Sequence, residues 1–489
     1  FIPIIFDRFS MLEIAFSNYS ISSFTTFDTS IDFELPDAMD SFIKKIGDDT
    51  FNQFIYQDLI YKFYKDEHKL ERFKLKHNYS VVKVPKPLLK NMIKHLLTKI
   101  SSLFSKPEEP FFLPTNLGWF RLLSLQFHLK VFPRFWFKKQ LKPGKYLYID
   151  RSEILRNSKD HSKFYKVLRY MIQRHLPKSY VENYQGLRSQ TKNLGWPEKP
   201  ISIFTCDAYG HDDLFKLWAA EKVERGSKLL IGQHGGNYGI DLFNAEEEHV
   251  ISISDKFLTW GWNERPDKFV SPEDNTISSF GIFTRLTNKV NYKADGNLLF
   301  VSTNILRYSY RMFSIPISSQ WLSYFEDQIS FMKLLSNKVF DKTILRHFKE
   351  DYGRNERTRW LENFPKLKID DGVRDIVHLY SKSRLVVHSY NATSFLETLY
   401  LNIPTVIFWD MELWEIRPES LIYFEEISNV GIFHETPESA SNHINTIWGD
   451  VEKWWYSTEV QKARKTFCEQ YAKENSSFEV ELAQILKHT

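Results

Sequence analysis

The segment 232–239, GQHGGNYG, concentrates residue types that can do chemistry. Four of the 18 glycines in the chain surround one histidine, His234. Glycine lets a backbone approach a ligand closely or adopt positive φ, and an imidazole can transfer a proton near neutral pH. The preceding run KLLIG predicts a buried strand, and open α/β sheets bind ligands beyond the carboxyl ends of their strands. A tight turn around a buried, hydrogen-bonded histidine is the alternative that these residues leave open.

A second segment, HSYNATSFLETLYLNIP at 388–404, combines hydroxyl side chains with a predicted helix start. Ser389, Thr393 and Ser394, with the free N–H groups of the first helical turn, would suit a phosphate. Glu397, one turn further, could accept hydrogen bonds from two ribose hydroxyls. Ordinary helix capping, with the glutamate favoured by the helix dipole, explains the same pattern.

A third candidate is Arg346, which ends the predicted strand TILRHF. A guanidinium at a strand end could clamp a diphosphate or a carboxylate. A surface salt bridge is the alternative.

Several catalytic motifs are absent from the sequence. It has no Gly-rich phosphate loop ending in GK[ST], no G-x-G-x-x-G after a strand, no G-x-S-x-G and no CxxC or HExxH cluster. The run His211-Asp212-Asp213 is interpreted as a helix start rather than a cation site. The sequence therefore predicts neither a metal nor a cofactor.

Alternating strands and helices must position these loops. Residues 200–265 and 296–435 each read as a βα series, which predicts open parallel sheets covered by helices. HVISISDKFLTWGW, within the first series, is interpreted as strand and turn. We expect an α/β, GT-B-like protein with two Rossmann-like domains facing a cleft. The predicted ranges are a helical region at 1–199 within an N-terminal domain 1–265, a linker at 266–295, a second domain at 296–435 and C-terminal helices at 436–489.

Length and composition set broader limits. A chain of 489 residues with 42% hydrophobic residues is too long for one core, so we expect two domains. Two distant cysteines, Cys206 and Cys468, fit a reducing compartment. No apolar run reaches the roughly 20 residues that span a bilayer, and the first residues are too short for a signal peptide. We expect a cytoplasmic protein and, because the sequence begins with Phe rather than Met, residues before Phe1.

Basic residues are concentrated between Lys83 and Lys145. This stretch has 13 Lys and Arg against two Glu, a net charge of +11, with aromatic residues interleaved. The pattern favours peripheral contact with anionic lipid headgroups. A nucleic-acid groove, an acidic polysaccharide site and a basic region folded onto its own domain are the alternatives.

The spacing of Glu397 and Pro404, E-x6-P after a hydroxyl-rich helix start, resembles the nucleotide-sugar site of GT-B glycosyltransferases. The sequence departs from that pattern at Asn402-Ile403, where many members carry Gly-Leu. Residues 175–410, with the QHGG loop, resemble a bacterial family of surface-carbohydrate transferases. The loop is also similar to that of CDP-glycerol phosphotransferases, and the layout is distantly similar to that of CMP-Kdo transferases.

The resemblance implies a role for each candidate. His234 would act as acid/base or as an electrostatic partner of the donor phosphate, with Gln233 and Gly235 beside it at the transferred sugar or acceptor. Asp207, which follows ISIFTC, would be the catalytic base or nucleophile, with Asp212, Asp213 and Asp241 as the other carboxylates nearby in the sequence. Ser389, Thr393 and Ser394 would then bind phosphate, Glu397 the ribose, and Arg346 the negative charge of the donor.

These roles predict a metal-independent glycosyltransferase of bacterial surface polysaccharide synthesis, capsule or O-antigen, at the cytoplasmic membrane face. The donor would be a nucleotide sugar, preferably a CMP-activated Kdo or related ulosonic acid. The acceptor would be a glycan or a lipid-linked glycan, and no nucleic acid is expected as a partner. A CDP-polyol phosphotransferase and a non-catalytic polysaccharide- or nucleic-acid-binding protein are the alternatives.

Overall fold

The computed structural model describes most of the chain: residues 1–27, 35–64, 69–73, 88–142, 144, 146–155, 162–263, 276–282 and 293–488. The predicted linker at 266–295 therefore lies largely outside the described residues, as do residues 83–87 of the basic region.

The strands form three parallel sheets. A small sheet pairs β1 with β2, a five-stranded sheet has the order β3-β4-β5-β6-β7, and a six-stranded sheet has the order β10-β9-β8-β11-β12-β13. The strands are β1 (Ser23–Phe27), β2 (Lys69–Phe73), β3 (Phe111–Phe112), β4 (Ser202–Thr205), β5 (Lys228–Gly232), β6 (Lys256–Thr259), β7 (Thr276–Ser279), β8 (Asn297–Val301), β9 (Thr343–Arg346), β10 (Lys368–Asp370), β11 (Ser383–His388), β12 (Thr405–Phe408) and β13 (Phe433–His434).

Helices make up the N-terminal region, connect the strands and end the chain. Those of the N-terminal region are α1 (Ile2–Asn18), α2 (Met39–Lys45), α3 (Asp49–Phe63), α4 (Leu88–Phe104), α5 (Trp119–Leu129), α6 (Lys163–His175) and α7 (Tyr184–Lys192). Those of the first βα series are α8 (Ala208–His211), α9 (Asp213–Val223) and α10 (Ala245–Ile253). Those that follow are α11 (Trp321–Leu334), α12 (Asn337–Phe340), α13 (Glu356–Asn363), α14 (Ile376–Tyr380), α15 (Thr393–Tyr400), α16 (Pro418–Asn429), α17 (Pro437–Ile447), α18 (Val451–Trp455), α19 (Thr458–Tyr471) and α20 (Phe478–His488).

This topology confirms the predicted fold class. β4 and β12 are buried along their whole length, because helices cover a parallel sheet on both faces and its strands then read as continuous apolar runs. The alternation of such runs with helices produces two Rossmann-like domains. The GT-B-like arrangement expected from the sequence is present.

Local patterns mislead the strand prediction in places. HVISI, at 249–253, was expected to be a strand but forms the end of α10. The side chain of Asn244 accepts hydrogen bonds from the N–H groups of Glu246 and Glu247 and so starts the helix. Within the predicted linker, β7 adds an edge strand to the first sheet. The expected start of α9 is confirmed, since Asp212 accepts from the N–H of Phe215 at 3.1 Å.

The last helix, α20, returns to the first domain. The hydroxyl of Ser202 in β4 donates to the carbonyl of Leu486 at 2.6 Å, and Arg121 of α5 forms an ion pair with Glu479 at 2.5 Å. The N–H of Lys473 donates to the carbonyl of Trp260 at 2.7 Å. Helix α19 packs on the second domain, where Arg464 donates to the carbonyl of Leu399 at 2.7 Å, so the C-terminal segment connects the two domains. Among the described residues, no helix is both long and apolar enough to cross a bilayer.

Candidate active site

His234 lies immediately beyond the carboxyl end of β5 and is half-buried. Its Nδ1 lies 3.4 Å from the hydroxyl of Tyr209, and its Nε2 lies 3.8 Å from a carboxylate oxygen of Glu246. The Tyr209 hydroxyl also donates to Glu246 at 3.3 Å. The imidazole is therefore held between a phenol and a carboxylate while part of it stays open to solvent.

Opposing effects act on the His234 imidazole. Burial lowers the pKa of His234, whereas the carboxylates of Glu246 and Asp207 raise it and Arg311 lowers it further. The net direction is downward, so the neutral ring is favoured. A neutral imidazole next to carboxylates can accept a proton and then be stabilised as the cation, which is what a general base requires.

Asp207 lies at the carboxyl end of β4, directly before α8, and is half-buried. Its charge raises the pKa of His234, so the structure brings these two predicted catalytic residues into one electrostatic environment. β4 and β5 are hydrogen-bonded neighbours, which explains why their carboxyl ends meet.

Gln233 faces the protein instead of the cleft. Its side-chain oxygen accepts from the backbone N–H of Trp260 and from the indole of Trp262, both at 2.9 Å. Its amide nitrogen donates to the carbonyl of Gly235 at 2.7 Å, and the residue is buried. Gln233 therefore fixes the path of the loop, and its predicted contact with a transferred group stays a prediction.

The loop glycines are required by close contacts. A Cβ on Gly236 would lie 2.6 Å from the carbonyl of Ala392, and Gly236 N–H donates to the hydroxyl of Thr393 at 3.1 Å.

Gly239 has φ +76°, and a Cβ there would meet the indole of Trp262. A Cβ on Gly235 would meet Asn237 and Tyr238 at 3.2–3.3 Å. The QHGG loop can thus lie directly against the first turn of α15 in the other domain.

At the start of α15, the hydroxyl groups are connected through a buried histidine. Ser394 Oγ lies 3.1 Å from Nδ1 of His388 and 2.8 Å from the hydroxyl of Tyr390. His388 Nε2 lies 3.2 Å from the Thr398 hydroxyl, which itself donates to the carbonyl of Phe395.

These partners assign the tautomer of His388. If Thr398 donates to the carbonyl of Phe395, the arrangement that gives every group a partner has the His388 proton on Nε2, toward Thr398, and Nδ1 accepting from Ser394. Burial lowers the pKa of His388 to about 3, so the ring stays neutral. In this arrangement the Ser394 proton points into the protein.

Ser389 is also turned inward. Its hydroxyl lies 3.2 Å from that of Tyr324 and 3.5 Å from the side-chain oxygen of Gln328, and the residue is buried. Of the three predicted phosphate-binding hydroxyl residues, Thr393 is therefore the one at the domain contact. Phosphate binding by all three stays a prediction.

Glu397 and Arg346 both lie near Tyr390. Burial raises the pKa of Tyr390, with Glu397 adding to the rise and Arg346 opposing it. The guanidinium of Arg346 forms an ion pair with Asp370 and donates to the carbonyls of Gly372 and Arg374 at 3.0 and 2.7 Å. Arg346 thus has protein partners at the end of β9, and its predicted contact with a donor stays a prediction.

The sequence has Asn402 where many GT-B glycosyltransferases have glycine, and the structure explains this difference. Asn402 has φ +55°, the left-handed region that glycine adopts readily and asparagine tolerates best among the other residues. Its side-chain oxygen accepts from the indole of Trp455 at 2.9 Å and from Gln461 at 3.0 Å. The turn between Glu397 and Pro404 is therefore kept without the glycine.

Buried polar contacts hold the two domains at this position. Asp241 accepts from Asn391 at 2.9 Å, and Arg417 forms an ion pair with Glu247 at 2.9 Å. Burial raises the pKa of Asp241. These contacts flank the loop that carries His234 and fix it against the second domain.

Sequence reasoning missed Tyr209, Glu246 and Arg311. The first two contact His234, as described above. Arg311 lies in the segment after β8 and acts electrostatically on both His234 and Glu246. The run AEEEH only indicates an acidic helix start, and nothing local indicates that this segment and the arginine converge on a histidine.

Among the residues that the structure describes, no group of His, Cys, Asp or Glu is arranged to hold a metal ion.

The fold is similar to those of several solved structures at low identity. The wall teichoic acid polymerase TagF is 12% identical with a TM-score of 0.38, over 82% of this chain and 95% of that chain. HepE of Anabaena, in complex with UDP-glucose, is 11% identical with a TM-score of 0.39, over 78% and 98%. WaaG, a glycosyltransferase of lipopolysaccharide biosynthesis, is 11% identical with a TM-score of 0.33, over 63% and 95%. At these TM-scores the similarities support no conclusion beyond the topology described above.

The family comparison is more specific. No curated protein matches the sequence significantly. A family model, however, matches residues 1–486, nearly the whole length, including the helical region, both βα domains and the C-terminal helices. The chain therefore belongs to the LIC12162 family of transferases.

Proposed function

We propose that this transferase is a glycosyltransferase of bacterial surface polysaccharide synthesis, capsule or O-antigen, that uses a nucleotide-sugar donor. One observation carries the proposal: the loop of His234 meets the first turn of α15 through the hydrogen bond between Gly236 and Thr393. A potential base and a helix N-terminus of the kind that binds phosphate thus lie next to each other at the contact between the two domains. A binding module would need only one of these two features.

In the proposed reaction, an acceptor hydroxyl attacks the anomeric carbon of the donor sugar. Its proton passes to neutral His234, and the nucleotide leaves with the electrons of the broken C–O bond. Glu246 and Asp207 stabilise the imidazolium that forms, since both raise the pKa of His234. Arg311 adds positive charge near His234 and Glu246.

Residues of the second domain would contact the donor. Glu397, one turn into α15, would accept from the ribose hydroxyls, and the first turn would face the phosphate. A cytidine-activated acidic sugar such as Kdo is our preferred donor. The acceptor would be a glycan or a lipid-linked glycan at the inner face of the plasma membrane, with no metal, cofactor or nucleic acid involved.

The first test is a thermal-shift panel of CMP, CDP, UDP, GDP and ADP with wild type, Glu397→Gln and Glu426→Gln. A nucleotide at 100 times its Kd stabilises the folded state by about 2.7 kcal/mol. We expect one nucleotide to raise Tm, no effect of it on Glu397→Gln, and a normal response of Glu426→Gln, an exposed control on α16.

The outcomes separate the alternatives. Stabilisation by no nucleotide would contradict the donor site and favour a binding protein. If CDP stabilises and CDP-glycerol yields a glycerophosphate-linked product, the chain is a polyol phosphotransferase. Selective stabilisation by CMP, with sugar transfer from a CMP-activated donor, is the expected result.

A further inference from the structure

Helix α5 is apolar on two opposite faces. Its inner face, which includes Leu125 and Leu129, is buried. On its outer face Phe120 is 90% exposed and Phe127 is 78% exposed, with Trp119 also exposed. A helix that faces water normally has polar residues on its outer side, so the outer face of α5 is suited to an apolar partner.

Helix α4 also has an exposed apolar face. Ile93, Leu96, Ile100 and Leu103 lie at helical spacing on one face, and all four are exposed, with Leu103 at 79%. Isolated exposed apolar residues are ordinary, but a row of four along one helix face marks an interaction site.

The segment that follows α5 joins the two helices. The rings of Phe104, at the end of α4, and Phe132 lie 5.2 Å apart. The rings of Trp119, at the start of α5, and Phe135 lie 5.5 Å apart. The backbone N–H of Phe135 donates to Ser101 Oγ of α4 at 2.8 Å. Phe132 and Phe135 therefore bring the end of α4 close to the start of α5. The exposed apolar residues of the two helices, together with Phe132, are here called the apolar face.

The exposed charges on the segment that carries the apolar face are mostly positive. Four exposed lysines lie on or beside its helices, namely Lys94, Lys99, Lys106 and Lys130. The carboxylate of Glu109 is paired with Arg134 at 2.9 Å, and both side chains are mostly buried. Glu108 is the remaining acidic residue between Leu88 and Lys142.

We propose that the apolar face docks on a lipid bilayer that contains anionic headgroups. Aromatic and aliphatic side chains insert at the level of the headgroups, and the lysines contact lipid phosphates, the combination that holds interfacial helices at membranes. A second copy of the chain fits less well, because a symmetric contact would bring the same lysines together. This proposal rests on α4 and α5 and goes beyond the transfer reaction. The membrane proposal and the proposed reaction can therefore fail independently of each other.

Co-sedimentation of the full chain with vesicles tests the proposal. We expect binding to phosphatidylcholine vesicles with 30% phosphatidylglycerol, weaker binding to pure phosphatidylcholine, and a decrease at high salt. Phe120→Ser with Phe127→Ser should reduce partitioning at least about tenfold, since two large exposed side chains no longer enter the bilayer. Lys94→Glu with Lys99→Glu should reduce binding to the anionic vesicles alone.

The matched control is Val373→Ser, which replaces an exposed apolar residue of the second domain and should leave partitioning unchanged. Tm and the nucleotide-induced shift should be the same for all variants, which separates this test from that of the transfer reaction. Failure to bind anionic vesicles, or equal binding by wild type and the phenylalanine variant, would overturn the proposal. So would a dimer in sedimentation velocity that the phenylalanine variant abolishes.

Discussion

Two histidines lie at the carboxyl ends of buried strands, one in each domain, and their surroundings differ. His234 follows β5, is partly exposed and lies near the carboxylates of Glu246 and Asp207. His388 ends β11, is completely buried and contacts the hydroxyls of Ser394 and Thr398. Both precede a loop of small residues in the sequence.

The difference separates a chemical role from a structural one. Carboxylates beside His234 stabilise its cation, so this ring can take up and release a proton. Around His388, burial lowers the pKa to about 3 without a compensating charge, so the ring serves as a fixed donor and acceptor. Four tests follow, in order of expected effect.

The largest effect is expected for His234→Ala. Loss of a general base typically lowers the rate 10²–10⁴-fold, so kcat for nucleotide release should fall within this range while Tm changes little. His378→Ala, on an exposed position of α14, is the matched control and should retain full activity. Wild-type kcat in His234→Ala would remove the basis for distinguishing the two histidines.

Gly236→Ala tests the contact between the two strand-end loops. A Cβ would lie 2.6 Å from backbone atoms of Ala392, so the loop of His234 must move away from α15. We expect kcat/KM to fall at least about tenfold, since small misplacements of catalytic groups are costly. Gly449→Ala, where a Cβ meets nothing within 4 Å, should behave as wild type. Equal kinetics for both variants would show that the contact is dispensable.

His388→Gln should affect stability and its pH dependence. The unfolded state takes up a proton on this ring below pH about 6.5, whereas the folded state does so only near pH 3. Stability should therefore fall as pH decreases across that window, by about 1.4 kcal/mol per pH unit from this group.

Urea unfolding from pH 7 to 4 measures this contribution. The variant should lose about 1–3 kcal/mol at pH 7, because Ser394 and Thr398 lose a partner, and its stability should fall less steeply with pH. His378→Gln should keep the wild-type slope. Identical slopes for wild type and His388→Gln would mean that His388 is protonated in the folded state.

The smallest effect concerns the pH profile of transfer. The Glu246 carboxylate raises the pKa of His234, so Glu246→Gln should lower that pKa further. Because the neutral ring is the base, the acidic limb of kcat/KM should move to lower pH. Glu248→Gln removes the same charge from the same helix and should leave the limb in place. A shift to higher pH in Glu246→Gln would contradict the base assignment.

The sequence predicted the elements better than the contacts. Within the two predicted βα series, the runs KLLIG and TILRHF, which became β5 and β9, were recognised because strands of a covered parallel sheet are rich in apolar residues. β3 has only two residues and β7 has little apolar pattern, so neither was found. HVISI looks like a strand, but it belongs to α10, which begins at the cap formed by Asn244.

Within the site, residue types were predictable and orientations were not. The loop of His234 and the start of α15 follow from strand ends, and the glycine requirement of the loop follows from its composition. Gln233 and Ser389 looked equally able to bind a ligand, yet both point into the protein. Their inward orientation depends on Trp260, Trp262 and Tyr324, which come from other segments.

The sequence alone determined the alternation of strands and helices, the position of the glycine-rich loop and the excess of lysine near α4 and α5. These properties depend on neighbouring residues and on composition. Only the tertiary structure decided that Tyr209, Glu246 and Arg311 surround His234 and that hydroxyl groups surround His388. Such partners lie in segments far apart in the sequence, so the pKa of each histidine depends on the packing of the whole fold and not on its neighbours in the chain.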